Sequence, residues 1–321
     1  MKLRLVVIFT FLACGSLKAQ KENPFKGYLP IREDPEVNFS SPMVDSEPLL
    51  FEAEPVLYFN LYNNYDQYDT LFQAEKAEAF YLYYHSHFRM FQGRSKPVRM
   101  PSYKLFMGYQ RSVDIGNGSL SIALESGHYS NGQSGCAWSD TVVDGTLDCE
   151  LITAALGEDE DLSKRLNRVN GNFSTNLSKL RFQYVTPKFR KEKKRVHKFS
   201  FDYAYLHAPL FMMFEYQGSS KSDINIIGRH RFEATYEFIR YTDYMLRYSF
   251  QQRIRRLAEE HNSIDPWRFE TTLSVYPKEW ITAFFFTFIY GHDDYNYRIV
   301  DSGTQFSVGV RWDLFQLEEF R

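Results

Sequence analysis

The stretch Gln305-Phe-Ser-Val-Gly-Val-Arg-Trp-Asp-Leu314 alternates between apolar side chains and side chains that are polar, charged or absent. Segments 231–238 and 268–275 show the same alternation, with Phe, Tyr, Leu and Val set between Arg, Glu, Thr and Ser. In a β-strand, successive side chains point to opposite faces, so a period of two predicts strands with one apolar and one polar face.

Composition narrows the class of β-protein. The 321 residues include 29 Phe and 23 Tyr, yet mean hydropathy is −0.44. This ring content excludes a disordered chain, and a net charge of −2 excludes the basic footprint of a general nucleic-acid binder. No run of about 20 apolar residues follows the N-terminal leader, which excludes a helical membrane protein. A chain rich in aromatics but polar on average is typical of outer-membrane β-barrels.

A soluble β-sandwich would also alternate, but here the polar faces carry full charges and aromatic residues cluster at strand ends, as in a barrel in lipid. A bacterial barrel of this kind has an even number of strands, so the eleven clear strands imply a twelfth before residue 55. We therefore predict an all-β fold, a transmembrane antiparallel up-and-down barrel of about 12 strands. The eleven segments are 55–62, 77–91, 102–112, 119–130, 173–186, 196–207, 226–240, 243–254, 267–276, 279–290 and 304–315.

Connections between these strands alternate in length. The short ones resemble periplasmic turns and the long ones extracellular loops, which predicts a multi-pass protein of the bacterial outer membrane. The short connections are 114–118, 240–243 and 276–279, and the long ones are 129–172, 208–225, 255–266 and 291–303.

The N-terminal region divides into three parts. Residues 1–20 have a charged start, an apolar core and a small-residue cleavage region, which predicts a signal peptide. Lipoprotein processing at Cys14 is the alternative. Residues 21–50 hold five prolines and predict an extended segment. The barrel then occupies 51–321, with a long extracellular loop at about 131–172.

Signal cleavage leaves two cysteines, Cys136 and Cys149. In an exported protein such a pair predicts a disulfide, which would contribute about 3 kcal/mol by closing one loop. Two free thiols are the alternative.

The strand at 119–130 departs from the barrel pattern. Its apolar face runs Leu120, Ile122, Leu124 and then continues as Ser126, His128, Ser130. A histidine facing lipid is costly without partners. His128 and Ser130 have Cα atoms roughly 6.5–7 Å apart on one face, close enough to form a nucleophile–base pair. The alternative is a polar rim where the strand leaves the membrane.

A catalytic base also needs an orienting group. On the next strand, Asn176 shares a face with Phe182 and Tyr184, residues typical of a membrane surface. Asn176 is therefore predicted to point outward beside His128. A neutral amide suits a position near lipid, where an unpaired charge would be costly.

At these residues the chain resembles a known family. Gly127-His-Tyr-Ser-Asn-Gly132 resembles the active-site strand of the outer-membrane phospholipase A family (phospholipase A1), which has a catalytic Asn on the following strand. The resemblance extends, with gaps, over about 50–315. It includes Ser95-Lys-Pro-Val-Arg-Met-Pro-Ser-Tyr103, Leu105-Phe-Met-Gly108, Tyr290-Gly-His-Asp-Asp-Tyr-Asn296 and Val308-Gly-Val-Arg-Trp-Asp-Leu-Phe315.

The resemblance implies a calcium-dependent serine hydrolase of glycerophospholipid acyl esters, active as a homodimer, with its site on the outer wall of a twelve-stranded barrel and facing the outer leaflet. It makes Ser130 the nucleophile, His128 the general base and Asn176 the orienting residue. The Gly132 amide would contribute to the oxyanion hole. Membrane phospholipids would be the substrates, and no nucleic acid is implied.

The resemblance also implies a Ca²⁺ site. Gln133 and Asn172 match two oxygen-ligand positions, and Ser95 matches a serine contributed by the facing subunit. The chain departs from the family in the forty-five residues that separate Ser130 from Asn176, where the family has a short loop. Asn170 and Asn172 are therefore rival orienting residues, although Ser174-Thr-Asn176 matches the family best.

Two other functions are compatible with a barrel of this kind. One is a lipid A deacylase, another barrel family that uses a His-x-Ser pair, although such barrels are smaller and typically use a Glu as the orienting residue. The other is a non-catalytic porin or adhesin.

Overall fold

The computed structural model describes most of the chain beyond its N-terminus. The described residues are 28–43, 48–65, 77–92, 98, 100–186, 195–207, 226–242, 246–257, 261–277 and 280–313. The predicted signal peptide at 1–20 and the predicted calcium ligand Ser95 lie outside them.

These residues form one antiparallel sheet that closes on itself as a twelve-strand barrel, so the predicted fold is confirmed. Its segments are β1 (Glu36–Ser40), β2 (Leu49–Glu54), β3 (Val56–Asn63), β4 (Ala77–Phe91), β5 (Ser102–Ile115), β6 (Gly118–Ser130), β7 (Ser174–Thr186), β8 (Arg195–His207), β9 (His230–Tyr241), β10 (Leu246–Leu257), β11 (Trp267–Pro277), β12 (Thr282–His292) and β13 (Ser302–Trp312).

The thirteen segments form a barrel of twelve strands because β2 and β3 together occupy one strand position. Both pair with β4, β2 along its last residues and β3 along its first, and Pro55 separates them. Proline has no N–H to donate to a ladder, so the strand is interrupted there. Closure comes from β1, which pairs with β13 on one side and with β2 on the other. β1 is the predicted twelfth strand, and it lies within the segment 21–50.

Strand bounds differ from prediction by a few residues. The largest difference is at β9, which begins at His230 rather than 226. Ile226 and Ile227 are apolar and buried but precede the strand. Connections after β5, β7, β9 and β11 are short and define the short-turn end. Those after β4, β6, β8, β10 and β12 define the long-loop end.

The barrel interior is filled by charged pairs and by an N-terminal segment. Arg89 pairs with Glu52 and Asp293, and Arg181 pairs with Asp202. Residues 28–35 enter the lumen, where Glu33 accepts from Lys179. The cavity that remains is about 370 Å³. Charges therefore face inward, whereas the outward positions carry exposed Leu, Phe and Val.

The connection between β6 and β7 has structure of its own. It contains helix α1 (Leu147–Ala154), whose first turn is capped by the Thr146 side chain, and a short 3-10 helix at Leu162–Lys164. Among the described residues, no helix is long and apolar enough to cross a membrane.

Candidate active site

The outer face of β6 changes character toward the long-loop end. Inward residues such as Ala123 and Glu125 are fully buried, whereas the outward Ile122 and Leu124 are 39% and 59% exposed. Because side chains alternate along a strand, His128 and Ser130 share the outward face of Leu124. The predicted orientation of these two residues therefore matches the structure.

Sheet register brings His128 and Asn176 together. They are directly opposite each other on β6 and β7, and His128 Nδ1 lies 3.4 Å from Asn176 Oδ1. The amide oxygen can only accept, so Nδ1 carries the proton and Nε2 is left as the basic nitrogen. Asn176 is buried although it points outward. A hydrogen bond from Nδ1 to this oxygen is the arrangement that a general base requires.

Ser130 lies at the end of β6, two residues beyond His128, with Ser174 of β7 and Tyr103 of β5 opposite it. Among the described residues, its hydroxyl makes no hydrogen bond with the imidazole or with any other side chain. The predicted nucleophile therefore lies beside the predicted base on the same strand, but the two side chains are not hydrogen-bonded. Contacts of this kind are often long before substrate binds.

The turn after Ser130 is held by Asn131. This side chain is fully buried, accepts from the backbone N–H groups of Gln133 and Phe173, and donates to the Gly171 carbonyl. Gly132 has a φ of 63° and is exposed, a conformation that favours glycine. Among the described residues its N–H has no acceptor. A fixed, unused donor beside Ser130 is what an oxyanion hole needs.

The rival orienting residues lie elsewhere. Asn170 accepts a hydrogen bond from Asn167, and Asn172 donates one to Asp144, both within the connection between β6 and β7. Neither is hydrogen-bonded to His128. Of the three asparagines, the sheet register therefore places Asn176 beside the imidazole.

Oxygen atoms gather where the β6–β7 connection leaves and rejoins the barrel. Asn172 donates to Asp144 Oδ2 over 2.7 Å, and the Asp144 N–H donates to the carbonyl of Ser134, the neighbour of Gln133. Asp144 is half-buried, and burial raises the pKa of its carboxyl above the usual range, against opposing hydrogen bonds from Asn172 and Gly145. No Lys or Arg of the described chain pairs with it.

This donor set fits calcium, which prefers hard oxygen ligands from carboxylates, amides and carbonyls. Gln133 and Asn172 were predicted from the sequence, whereas Asp144 was not. Among the described residues no group of three or more His, Cys, Asp or Glu side chains could hold a metal ion. A site here would therefore depend on carbonyl and amide oxygens around one carboxylate.

A disulfide joins Cys136 and Cys149, as predicted, with their Cα atoms 5.7 Å apart. It ties the first residues of the connection to α1. The Sγ of Cys149 also lies 3.7 Å from Asp144 Oδ1. The crosslink thereby fixes the segment that carries Asp144.

Sequence reasoning missed two further polar contacts on the outer wall. Ser126 Oγ lies 2.8 Å from Ser178 Oγ, which lies 2.9 Å from His207 Nε2. The signal that could have found them is the outward register of β6, β7 and β8.

Comparisons with solved structures agree with this architecture. The chain is similar to the outer membrane phospholipase A from Escherichia coli, with 10% identity, a TM-score of 0.53, and coverage of 94% of this chain and 96% of that one. It is also similar to the Salmonella typhi outer membrane phospholipase dimer with bound calcium, with 12% identity, a TM-score of 0.51, and coverage of 92% and 96%.

LpxR from Salmonella typhimurium is a more distant match, with 9% identity, a TM-score of 0.39, and coverage of 87% and 99%. No family model and no curated protein matches the sequence. At these identities the likeness to the phospholipases shows a shared fold alone. A closed barrel with outer-membrane barrels as its structural neighbours is consistent with a protein of the outer membrane.

Proposed function

We propose that this barrel is an outer-membrane serine hydrolase that cleaves acyl esters of glycerophospholipids. The observation that carries the proposal is the pairing of His128 with Asn176 on the lipid-facing wall, with Ser130 next along the same face. Polar side chains facing lipid are costly and tend to be functional. The outward position also brings ester substrates directly from the membrane.

In the proposed reaction, Ser130 Oγ attacks the ester carbonyl while Nε2 of His128 takes the hydroxyl proton. Asn176 holds the resulting imidazolium through Nδ1–H. The imidazolium then protonates the leaving glycerol oxygen, which releases a lysophospholipid. Water attacks the acyl-serine with His128 again as base, and the fatty acid leaves.

The developing oxyanion would be stabilised by the N–H of Gly132. Calcium, when bound, would add positive charge near that oxygen. The residues that would hold it are Gln133, Asn172 and Asp144, with Ser95 supplied by the facing subunit of a homodimer.

The surroundings of the site favour acyl chains. Leu105 and Met107 of β5 are 56% and 51% exposed, and Leu124 and Leu180 continue the apolar surface toward the short-turn end. A lipid with its ester at Ser130 would rest its chain on this surface. The same lipid-facing wall is available to a second subunit, so we expect activity to rise with dimerisation.

The test is fatty-acid release from phospholipid micelles by refolded protein, with calcium or with excess chelator. We expect release that requires calcium and that falls by about 1,000-fold or more in Ser130→Ala, as for other serine hydrolases that lose the nucleophile. Phe284→Ala is the control, because its side chain is 54% exposed on β12. Equal release by wild type and Ser130→Ala would refute the hydrolase. Full activity in chelator would refute only the calcium requirement.

A further inference from the structure

A row of three polar side chains crosses the outer wall next to the candidate active site. Ser126 of β6 is hydrogen-bonded to Ser178 of β7, and Ser178 is hydrogen-bonded to His207 of β8. His207 is the register neighbour of Asn176. These three residues are defined here as the hydroxyl row. Ser126 and Ser178 lie one layer further from the long-loop end than the His128–Asn176 pair, whereas His207 lies in the same layer as that pair.

The hydroxyl row interrupts an apolar surface. Met107, which lies opposite Ser126, is 51% exposed. In the next layer, Leu124 and Leu180 are 59% and 36% exposed. The row is therefore bordered by lipid-facing side chains on the β5 side and toward the short-turn end. Polar groups that face lipid are costly and tend to be functional.

The distance between the row and Ser130 determines which part of a bound substrate would contact the row. Ser126 precedes Ser130 by four residues on the same face, so the two side chains lie about 13 Å apart along the strand. An extended acyl chain advances roughly 1.3 Å per carbon–carbon bond, so a chain bound through its ester at Ser130 covers the 13 Å with roughly ten to eleven bonds, near carbon 12. The head group and the ester themselves are too close to Ser130 to contact the row.

We propose that the hydroxyl row recognises an oxygen-bearing group in the middle of the substrate's acyl chain, so that the favoured substrates are esters of mid-chain hydroxy fatty acids. This inference rests on the proposed function, because it takes Ser130 as the point where the ester binds.

The chemistry of the row suits a neutral hydroxyl. A serine hydroxyl can donate one hydrogen bond and accept two. Ser126 uses one side-chain partner among the described residues, so its hydroxyl can still bond a substrate hydroxyl that both donates and accepts. The row itself is built without Lys or Arg, which gives it no attraction for a carboxylate or a phosphate.

The expected preference is modest. An unsubstituted chain leaves the row's internal hydrogen bonds in place, so it is still accepted. A hydroxylated chain gains about one net hydrogen bond, which corresponds to roughly 3- to 10-fold in kcat/KM. The preference should depend on the position of the hydroxyl, since one near the ester would lie beside His128 rather than beside Ser126.

The experiment compares phosphatidylcholines that carry stearoyl, 3-hydroxystearoyl or 12-hydroxystearoyl chains. We expect the 12-hydroxystearoyl lipid to be hydrolysed fastest by the wild type. In the double variant Ser126→Ala, Ser178→Ala the ratio of 12-hydroxystearoyl to stearoyl rates should fall to about one, and in Phe284→Ala it should stay unchanged. Equal wild-type rates, a preference for the 3-hydroxy chain, or a preference that survives the double variant would overturn the proposal.

A binding measurement separates this inference from the proposed function. The Ser130→Ala protein is mixed with equal amounts of the stearoyl and 12-hydroxystearoyl lipids, and the lipids that stay bound are identified and quantified by native mass spectrometry. Enrichment of the hydroxylated lipid that disappears with the added Ser126→Ala and Ser178→Ala changes would support the row, even if the wild type hydrolysed neither lipid. Equal retention of the two lipids would refute the row, whatever the hydrolysis rates.

Discussion

Two parts of the outer wall follow the same strand pattern and differ in what they present to lipid. On β12 and β13 the outward residues are Phe284, Phe286, Phe306 and Val308, between 42% and 54% exposed, and Phe286 stacks on Phe306. On β6, β7 and β8 the outward positions toward the long-loop end include Ser126, His128, Asn176, Ser178 and His207, which are joined by hydrogen bonds. One scaffold therefore carries both an apolar surface of the kind that contact with lipid requires and a polar patch that holds the candidate active site.

Asn176→Ala, on the polar part of the outer wall, is the variant for which we expect the largest effect. Loss of the amide leaves the His128 imidazole without its Nδ1 acceptor, so the tautomer with a basic Nε2 is no longer favoured. Steady-state hydrolysis should show kcat reduced by up to about 10⁴-fold, the loss seen when the orienting residue of a triad is replaced.

Asn170→Ala is the matched control, since it removes an asparagine that lies on the connection and does not contact His128. An equal loss in both variants would mean that Asn176 does not act through the imidazole. An unchanged kcat in Asn176→Ala would refute the triad.

Phe286→Arg tests the apolar outer wall of β12 and β13. If this wall faces hydrocarbon, an arginine near its middle should lower the free energy of unfolding by about 2–4 kcal/mol. The measurement is reversible urea unfolding in lipid vesicles, with Phe286→Leu as the apolar control. If the Arg and Leu variants were equally stable, this wall would not face lipid, and the contrast with β6–β8 would lose its meaning.

Much of this architecture is predictable because alternation is local. Segments such as 231–238 and 268–275 carry a period of two over their whole length. The outward position of His128 and Ser130 follows from continuing the face of Leu120, Ile122 and Leu124 along the same strand. β1 was harder to place because Glu36–Ser40 is only five residues long. The interruption at Pro55 also divides one strand position of the barrel between β2 and β3, so no continuous alternation marks the start of the barrel.

The contacts that sequence could not supply are those that depend on register or on the fold of the β6–β7 connection. Ser178 and His207 are far apart in the chain, and they meet only because Asn176 is opposite His207 in the ladder. Asp144 reaches Asn172 only through the path of the connection that the disulfide closes. A motif names residue types, whereas these contacts require the ladder and the loop to be built first.

The smallest expected effect concerns Asp144, where the β6–β7 connection meets the strands that carry the candidate active site. If its carboxylate is a calcium ligand, Asp144→Asn removes a negative charge while keeping the size and a hydrogen-bonding side chain. Calcium affinity should fall on the order of tenfold, because ligand charge sets calcium affinity.

Isothermal titration calorimetry on the Ser130→Ala protein measures this affinity without turnover. Asp148→Asn, on the exposed first turn of α1, is the control and should keep the wild-type affinity. If Asp144→Asn bound calcium as tightly as the control, the carboxylate would only hold Asn172 in place. The insertion would then be an addition to the barrel rather than part of its site.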